Sequence, residues 1–556
     1  MVILGVGDGI DAGAALVIDD AVVAVEPQER HDRSPRSRAF PWAAIAEVLE
    51  EAGLKNRHVD EIAVAGKFSP PLFLRKNPGL RRIAQDAFSP AIDAGVFFQA
   101  LLKQSGLGAL EADYAAEWLE QQFRAHGFDV KRVTLVDIHR ALAEAGYRSQ
   151  RHDEAVVITL HPMGDGSACA VHMGSDGQLE RVWSQKGFAA LHVHLRRCAA
   201  SMGFEPLIGE PRMWAAAGRA TPDNALLALL DDELFAEGER LSRKNYPLPE
   251  SPNSLLYRRL GEVDRDVAAA SVLANLVTAV RALVRYHVQA SGCPHVVLGG
   301  AVFDNPRLCA EVAEIDDIES LWVHPGPGYP SLPIGAAASL AGLAPKPLPS
   351  PLLGRRYEER QYARSLAVAG LVPHKPEDIG KSLGKLLAEG KLVARFQHRA
   401  GLARHGNGTR TVLFRADDPE LLARARHELG RPEDDEPVAL WTGDPADGVV
   451  RQRERLAEAL CAGVVAPEVD EVFAARYPGV MLPDRRVLLQ IVDETSDPVL
   501  FAALMELHAL TGLGCVGGIA FAQGADPVLV VPGDAIRVWR RTNIDALQLG
   551  PFQVFR

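Results

Sequence analysis

Cysteine is scarce in this chain: six in 556 residues (Cys169, Cys198, Cys293, Cys309, Cys461 and Cys515), widely spaced and with no C-x-x-C pair. That pattern offers neither a disulfide framework nor a thiolate zinc site, and it reads as reduced, mostly buried thiols of a cytoplasmic protein. Positive charge is also short. Sixty Lys and Arg face 72 Asp and Glu, a net charge of −12, which argues against nucleic acid or an anionic membrane as a partner. No apolar run approaches the roughly 20 residues that span a bilayer, and the N-terminus lacks the charged-then-apolar order of a signal peptide. There is no P-loop, no G-x-S-x-G, no Ser–His–Asp order and no repeat of solenoid period.

The length exceeds what one core organises, so two or more domains are expected. Apolar residues make up 47% of the chain, ordinary for a globular protein. Short apolar runs at Ile62–Gly66, Val133–Val136 and Ala155–Leu160 predict buried strands, and Ala43–Ala52 and Val267–Ala290 carry apolar residues at helical spacing. His295–Leu298, Gly299-Gly300 and Asn305-Pro306 read as strand, glycine turn and helix start. Ala344–Pro351 is a proline-rich linker by composition, which sets expected domains at 1–345 and 356–556 with a linker over 346–355. Beyond it, a helix at Ile379–Glu389, strands at Leu392–Phe396 and Thr411–Phe414, and a helix start at Asp417–Glu420 predict a mixed α/β domain.

The most informative stretch is Leu4–Asp20. An apolar run enters a Gly/Asp turn, leaves through small residues and becomes a second apolar run ending in Asp19-Asp20. This predicts a β-hairpin whose glycines let backbone N–H groups approach a ligand, as in the phosphate loop opening the actin/hexokinase-like (ASKHA) fold. A second opening of this kind at Ala155–Val171, with Gly164-Asp165-Gly166 in its turn, points to duplication. The expected fold class is therefore α/β, with a duplicated actin/hexokinase-like N-terminal domain.

After the hairpin come Glu29-Arg30 and Phe40-Pro41. With Asp11, Ala14, Ala15 and Leu16 they resemble the N-terminus of the antibiotic and nodulation O-carbamoyltransferases, although Ile10 stands where that family has His. Gly390–Arg399 resembles the strand that opens the family's C-terminal domain. The resemblance implies that the second domain is similar to the threonylcarbamoyl-AMP synthases. It also implies ATP and carbamoyl phosphate as cofactor and donor, with a carbamoyl-adenylate passing its carbamoyl group to a hydroxyl of a small-molecule acceptor. Proteins of this class pair, so a homodimer, or a heterodimer with an active paralogue, is expected.

The family's chemical groups are thinned in this sequence. Its N-terminal site holds a metal through a His-His-x-x-His helix and an Asp loop; the matching helix here is Val136–Tyr147, with Ile138 and Leu142 at i and i+4 and only His139 kept, and Tyr329 replaces the Asp. Apolar side chains cannot ligate a cation, so the metal is expected to be absent. His139 is the remaining catalytic candidate in this half. Asp11, Gly299, Gly300 and Asn305 are candidates for holding the nucleotide, as are Glu210 and Arg212, which stand where the family has Gly-Glu-Tyr-Lys-Val-Met. In the second half Ala403–Thr411 stands for Gly-Pro-Arg-Ala-Leu-Gly-Asn-Arg-Ser: Gly408 and Arg410 persist, and Arg404 or His405 takes the place of the lost Arg. Arg399, Arg404, His405 and Arg410, spaced by glycines, read either as an anion loop or as a solvated basic turn. Gly518–Ala522 keeps only Phe521 of the family's Asn-Thr-Ser-Phe-Asn.

Other histidines read as structural. His192 and His194 lie in a helical run where i and i+2 face apart, and His152, His161 and His172 are scattered about a hairpin. The expectation is a carbamoyltransferase-like scaffold with an eroded site, a diverged or non-catalytic partner subunit. The rival is an active ATP-dependent O-carbamoyltransferase with a site rebuilt from His139, Glu210, Arg404, His405 and Arg410.

Overall fold

The computed structural model describes residues 1–556 except 78–106, 130, 187–190, 205–209, 244–253, 398, 404–405, 432–437, 444–448 and 523–528. The chain forms two compact units: Met1–Gln28, Arg36–Pro347 and Glu454–Leu456 make the first, and Glu29–Pro35, Leu348–Arg453 and Ala457–Arg556 the second. Two short stretches thus depart from a simple division of the sequence. Glu29–Pro35 belongs with the second unit because Arg33 pairs with Asp534 at 3.0 Å. Glu454–Leu456 belongs with the first because Arg455 donates to the carbonyls of Ala313 and Ile315 and accepts from Leu321 N–H.

The first unit is built twice over. Strands β1 (Val2–Gly7), β2 (Gly13–Ile18) and β3 (Ala21–Pro27) form an antiparallel meander, and β4 (Glu61–Ala65) and β5 (Val133–Val136) join it in parallel beside β1, in the order β3-β2-β1-β4-β5. The pattern recurs with β6 (Ala155–Gly164), β7 (Ser167–Ser175) and β8 (Gln178–Lys186). A small hairpin follows, β9 (Leu234–Glu237) and β10 (Arg240–Arg243), before β11 (His295–Gly299) and β12 (Ser320–Val323) complete the order β8-β7-β6-β11-β12. The same order in two sheets is the duplicated actin-like α/β fold. Alternation of Leu4, Val6, Leu16, Ile62 and Val64 fills one core with Ile45, Val48, Leu119 and Phe123.

The helices Ile138–Tyr147 and Leu332–Ala341, one after each sheet's parallel edge, pack on each other. Small residues make this possible: a Cβ on Gly335 would lie 1.7 Å from the carbonyl oxygen of Ala141. Asp165, in the second hairpin turn, accepts backbone N–H groups of Lys67 (3.0 Å), Phe68 (2.7 Å) and Ile138 (2.8 Å), and so ties that turn to the N-terminus of the helix Ile138–Tyr147.

One expectation is corrected here. The helix Arg265–Ser291 is long and apolar enough to cross a membrane by length and composition, because Asn275 and Arg281 interrupt an apolar pattern without breaking it. Sixty-seven per cent of that stretch is buried in the unit, where Asn275 donates to Asp231 and to Leu234 O and Arg281 pairs with Glu311 and Glu314. Such satisfied polar groups belong to a core helix.

The second unit is a mixed seven-stranded sheet. Its strands are β13 (Val393–Phe396), β14 (Arg410–Arg415), β15 (Ala439–Thr442), β16 (Leu488–Ile491), β17 (Cys515–Ala520), β18 (Ala546–Leu549) and β19 (Phe552–Phe555), ordered β16-β15-β17-β14-β13-β18-β19. Leu383 and Leu387 from one helix, and Leu500, Leu504 and Leu507 from another, cover Val393, Leu413, Trp441 and Val516. Asp418 caps the helix Pro419–Glu428 as its sequence anticipates.

The helix crossing gives the first prediction. Helix propensity favours alanine over glycine by about 1 kcal/mol, but overpacking typically costs about 1–3 kcal/mol, and a backbone oxygen at 1.7 Å cannot rotate away. Gly335→Ala is expected to destabilise the first unit by about 2 kcal/mol, read as a shift in that unit's urea transition with the other unit's unchanged.

Candidate functional site

Every position that stands for a family metal ligand falls in one place. Ile138 and Leu142 from the first of the crossing helices, and Tyr329 from the turn Tyr329–Ser331 before the second, pack into one cluster with Ala63, Ala65, Val136, Ala141, Leu332 and Ala336. Ile10, from the first hairpin turn, packs against it. A Cβ on Gly164 would touch Ile138, so the second hairpin turn closes on the same spot. Four would-be polar positions have become a continuous apolar contact that a cation cannot enter without losing its hydration.

His139 sits beside this cluster but does not serve it. The side chain is buried; Nδ1 lies 2.7 Å from the Thr159 hydroxyl and Nε2 lies 3.0 Å from the Ser167 carbonyl oxygen, so both ring nitrogens are engaged. Burial pushes its pKa below the ordinary histidine value, which fits a neutral ring donating from Nε2. His139 thus joins the helix to the hairpin β6–β7.

The cofactor candidates of the first unit are likewise accounted for locally. Asp11, at φ 52°, receives the Arg36 guanidinium through Nε at 3.2 Å and Nη2 at 3.1 Å. Gly300 has φ 113°, and a Cβ there would lie 1.7 Å from the Leu160 carbonyl oxygen. A glycine is required at Gly300 by the approach of β6, whatever lies above the turn. Its N–H donates to Pro327 O at 2.7 Å. Gly299 ends β11, its would-be Cβ 3.3 Å from Thr159. Asn305 caps the helix Pro306–Ala313, its Oδ1 accepting from Arg307 and Leu308 N–H. Glu210 opens the helix Glu210–Ala217, and its side chain lies outside the described residues.

The second unit treats its basic loop in the same way. Arg410, buried, lies 3.5 Å over the Phe396 ring and donates to the carbonyls of Gln397 (2.5 Å) and Thr409 (2.8 Å). Arg399 donates to Gly354 O at 2.7 Å. Arg410 thus bridges the adjoining ends of β13 and β14; Arg404 and His405 lie outside the described residues. Nearby, Arg395 makes a bidentate pair with Asp497 (2.8 and 2.9 Å) and also donates to Gly408 O. Asn407, at φ 49°, donates to Ala462 O and accepts from Ala403 N–H. Ile519 and Ala520 of the Gly518–Ala522 segment lie in β17.

Residues 384–556 match the family model described as the carbamoyltransferase C-terminus. Over that C-terminal part the chain is similar to the carbamoyltransferase family. It is 23% identical to "Uncharacterized protein sll1178" of Synechocystis sp., over 98% of this chain and 94% of that one. It is 20% identical to the nodulation protein NolNO of Sinorhizobium fredii, over 98% of this chain and 78% of that one. Among solved structures, full-length HypF in its phosphate- and nucleotide-bound form is 10% identical, covering 61% of this chain and 46% of that chain at a TM-score of 0.36. The strand order, rather than that score, carries the actin-like description of the first unit.

Sequence reasoning missed two things. His161, set aside as scattered, has its ring 5.1 Å from Tyr329 and 6.1 Å from His139, whereas His152 stacks on His295 and His172 accepts from Arg181. Arg36 reaches both Asp11 and the Tyr329 ring. No motif marks it, since it lies in a loop.

Several histidines of the chain are buried, which disfavours their charged form. Burial lowers the pKa of His324 from 6.5 to about 4, and His139 and His172 shift in the same direction. A histidine that titrates at 6.5 unfolded and near 4 folded stabilises the fold fully above pH 6.5, and that stability fades as the pH falls toward 4. His324 alone should make the first unit about 2 kcal/mol less stable at pH 5 than at pH 7.5. Urea titrations at the two pH values, with His324→Gln flattening the difference, check this.

Proposed function

We propose that this protein is a catalytically diverged member of the carbamoyltransferase family, a non-catalytic partner subunit rather than a metal-assisted carbamoyl transferase. The observation that carries the reading is the cluster of Ile138, Leu142 and Tyr329, the positions that the resemblance sets against metal ligands, with Ile10 packed on it. A metal would polarise the carbamoyl carbonyl and stabilise charge in the tetrahedral intermediate; these residues do not fit it, and no step is routed through one. The engaged nitrogens of His139 and the backbone contacts of Arg410 support the same reading. Family membership makes an active carbamoyltransferase paralogue the natural partner, in the cytoplasm.

The purified protein, incubated with iron(II) or zinc(II) and desalted, is expected to retain no stoichiometric metal. Carbamoyl-phosphate-dependent exchange of pyrophosphate into ATP should stay at background, since removing even one transition-state donor slows such steps by about 10²–10³. Stoichiometric metal together with robust exchange would overturn the proposal and establish an active O-carbamoyltransferase.

A further inference from the structure

Two histidines that the candidate site does not use lie face to face in the first unit. His152 stands between the helix Ile138–Tyr147 and β6, and His295 opens β11. Their ring centroids are 3.7 Å apart and their planes 14° from parallel. Both rings are half-buried. Nδ1 of His295 lies 3.0 Å from the hydroxyl of Ser320, the first residue of β12. The stack therefore joins the starts of three parallel strands, β6, β11 and β12.

Stacked imidazoles tolerate one another as neutral rings. Two imidazolium ions at the same spacing repel, and half-buried charges are incompletely screened. The pair thus titrates as a unit, its second proton meeting the charge of the first. Burial lowers the pKa of His152, as do His295 and the neighbouring Arg151, while Glu319, just ahead of β12, acts the other way. A histidine lowered by folding favours the folded contact fully above about pH 6.5, and that advantage fades as the pH falls.

We propose that the His152–His295 stack is an acid-released pin for residues 148–152. The buried side chain of Gln150 brackets the His152 backbone, accepting its N–H and donating to its carbonyl, and also donates to Tyr147 O at 3.2 Å. Trp322 Nε1 donates to the Ser149 hydroxyl at 2.9 Å. Arg148 O accepts the N–H of Lys346 at 3.3 Å, in the proline-rich stretch where the chain leaves the first unit. Parting the rings loosens the segment that carries this attachment, so the departure of the chain from the first unit becomes sensitive to pH. The device involves neither turnover nor a metal, and it stands or falls independently of the partner-subunit reading.

The test joins an NMR titration of the ring C–H groups, in the full chain labelled at its histidines, with hydrogen exchange at pH 7.5 and pH 5 corrected for the intrinsic rate. The two ring signals, assigned with His152→Gln and His295→Gln, are expected to titrate with midpoints at least about one pH unit apart. Loss of either ring should return the other toward about 6.5. Relative to β1 and β2, peptides covering residues 148–152 and Lys346 should exchange at least about tenfold faster at pH 5 than at pH 7.5. His152→Phe keeps a ring in the stack that takes no proton, and should abolish this pH response. Coincident midpoints, exchange at residues 148–152 that ignores pH, or a response that survives His152→Phe would each overturn the proposal.

Discussion

The contact on which the first unit depends is the crossing of the helices Ile138–Tyr147 and Leu332–Ala341, where Gly335 lies against the Ala141 carbonyl. Each helix follows the parallel edge of one of the two equivalent sheets, so their contact is where the two halves of the duplication meet. Such closeness needs small residues on both sides, and Ala141, Ala145, Gly335 and Ala336 provide them. What stands at the N-terminal ends of the two helices is thereby brought together: Ile138 and Leu142 on one, Tyr329 just ahead of the other.

The crossing encloses hydrocarbon. Ile138, Leu142 and Tyr329 fill this space by mutual contact, with Ile10 against them. A mixed cluster, with one imidazole remaining among aliphatic groups, would leave a polar atom without a partner. His139 escapes that penalty by turning to Thr159 and Ser167. Asp165 shows the same economy, since its carboxylate answers the N–H of Ile138 at a helix N-terminus and two more, of Lys67 and Phe68, in the loop after β4.

The second unit binds several of its buried polar residues to itself. Arg395, Asn407 and Arg410 are all buried, and all reach backbone carbonyls or a carboxylate of their own unit. A buried guanidinium needs such partners to be tolerated at all. That the motif's arginine persists at Arg410 while serving as a clamp between strands shows why retention of a residue type is weak evidence for retention of its role.

Much of the fold was legible in the sequence because its signals are local. Alternation in Leu4–Ile18, the Gly/Asp turns, Asn305-Pro306 and Asp418-Pro419 act through dihedral preference, capping and periodicity over a few residues. The replacement of ligands at Ile138, Leu142 and Tyr329 was legible too, but only as a comparison of motifs. Tertiary structure alone decided that these three meet Ile10 in one cluster, since nearly two hundred positions separate Leu142 from Tyr329. It alone set the His139 ring between Thr159 and Ser167, and the Arg410 guanidinium over the Phe396 ring. Periodicity tells which face of an element is buried, but only the packing of distant elements determines what that face meets.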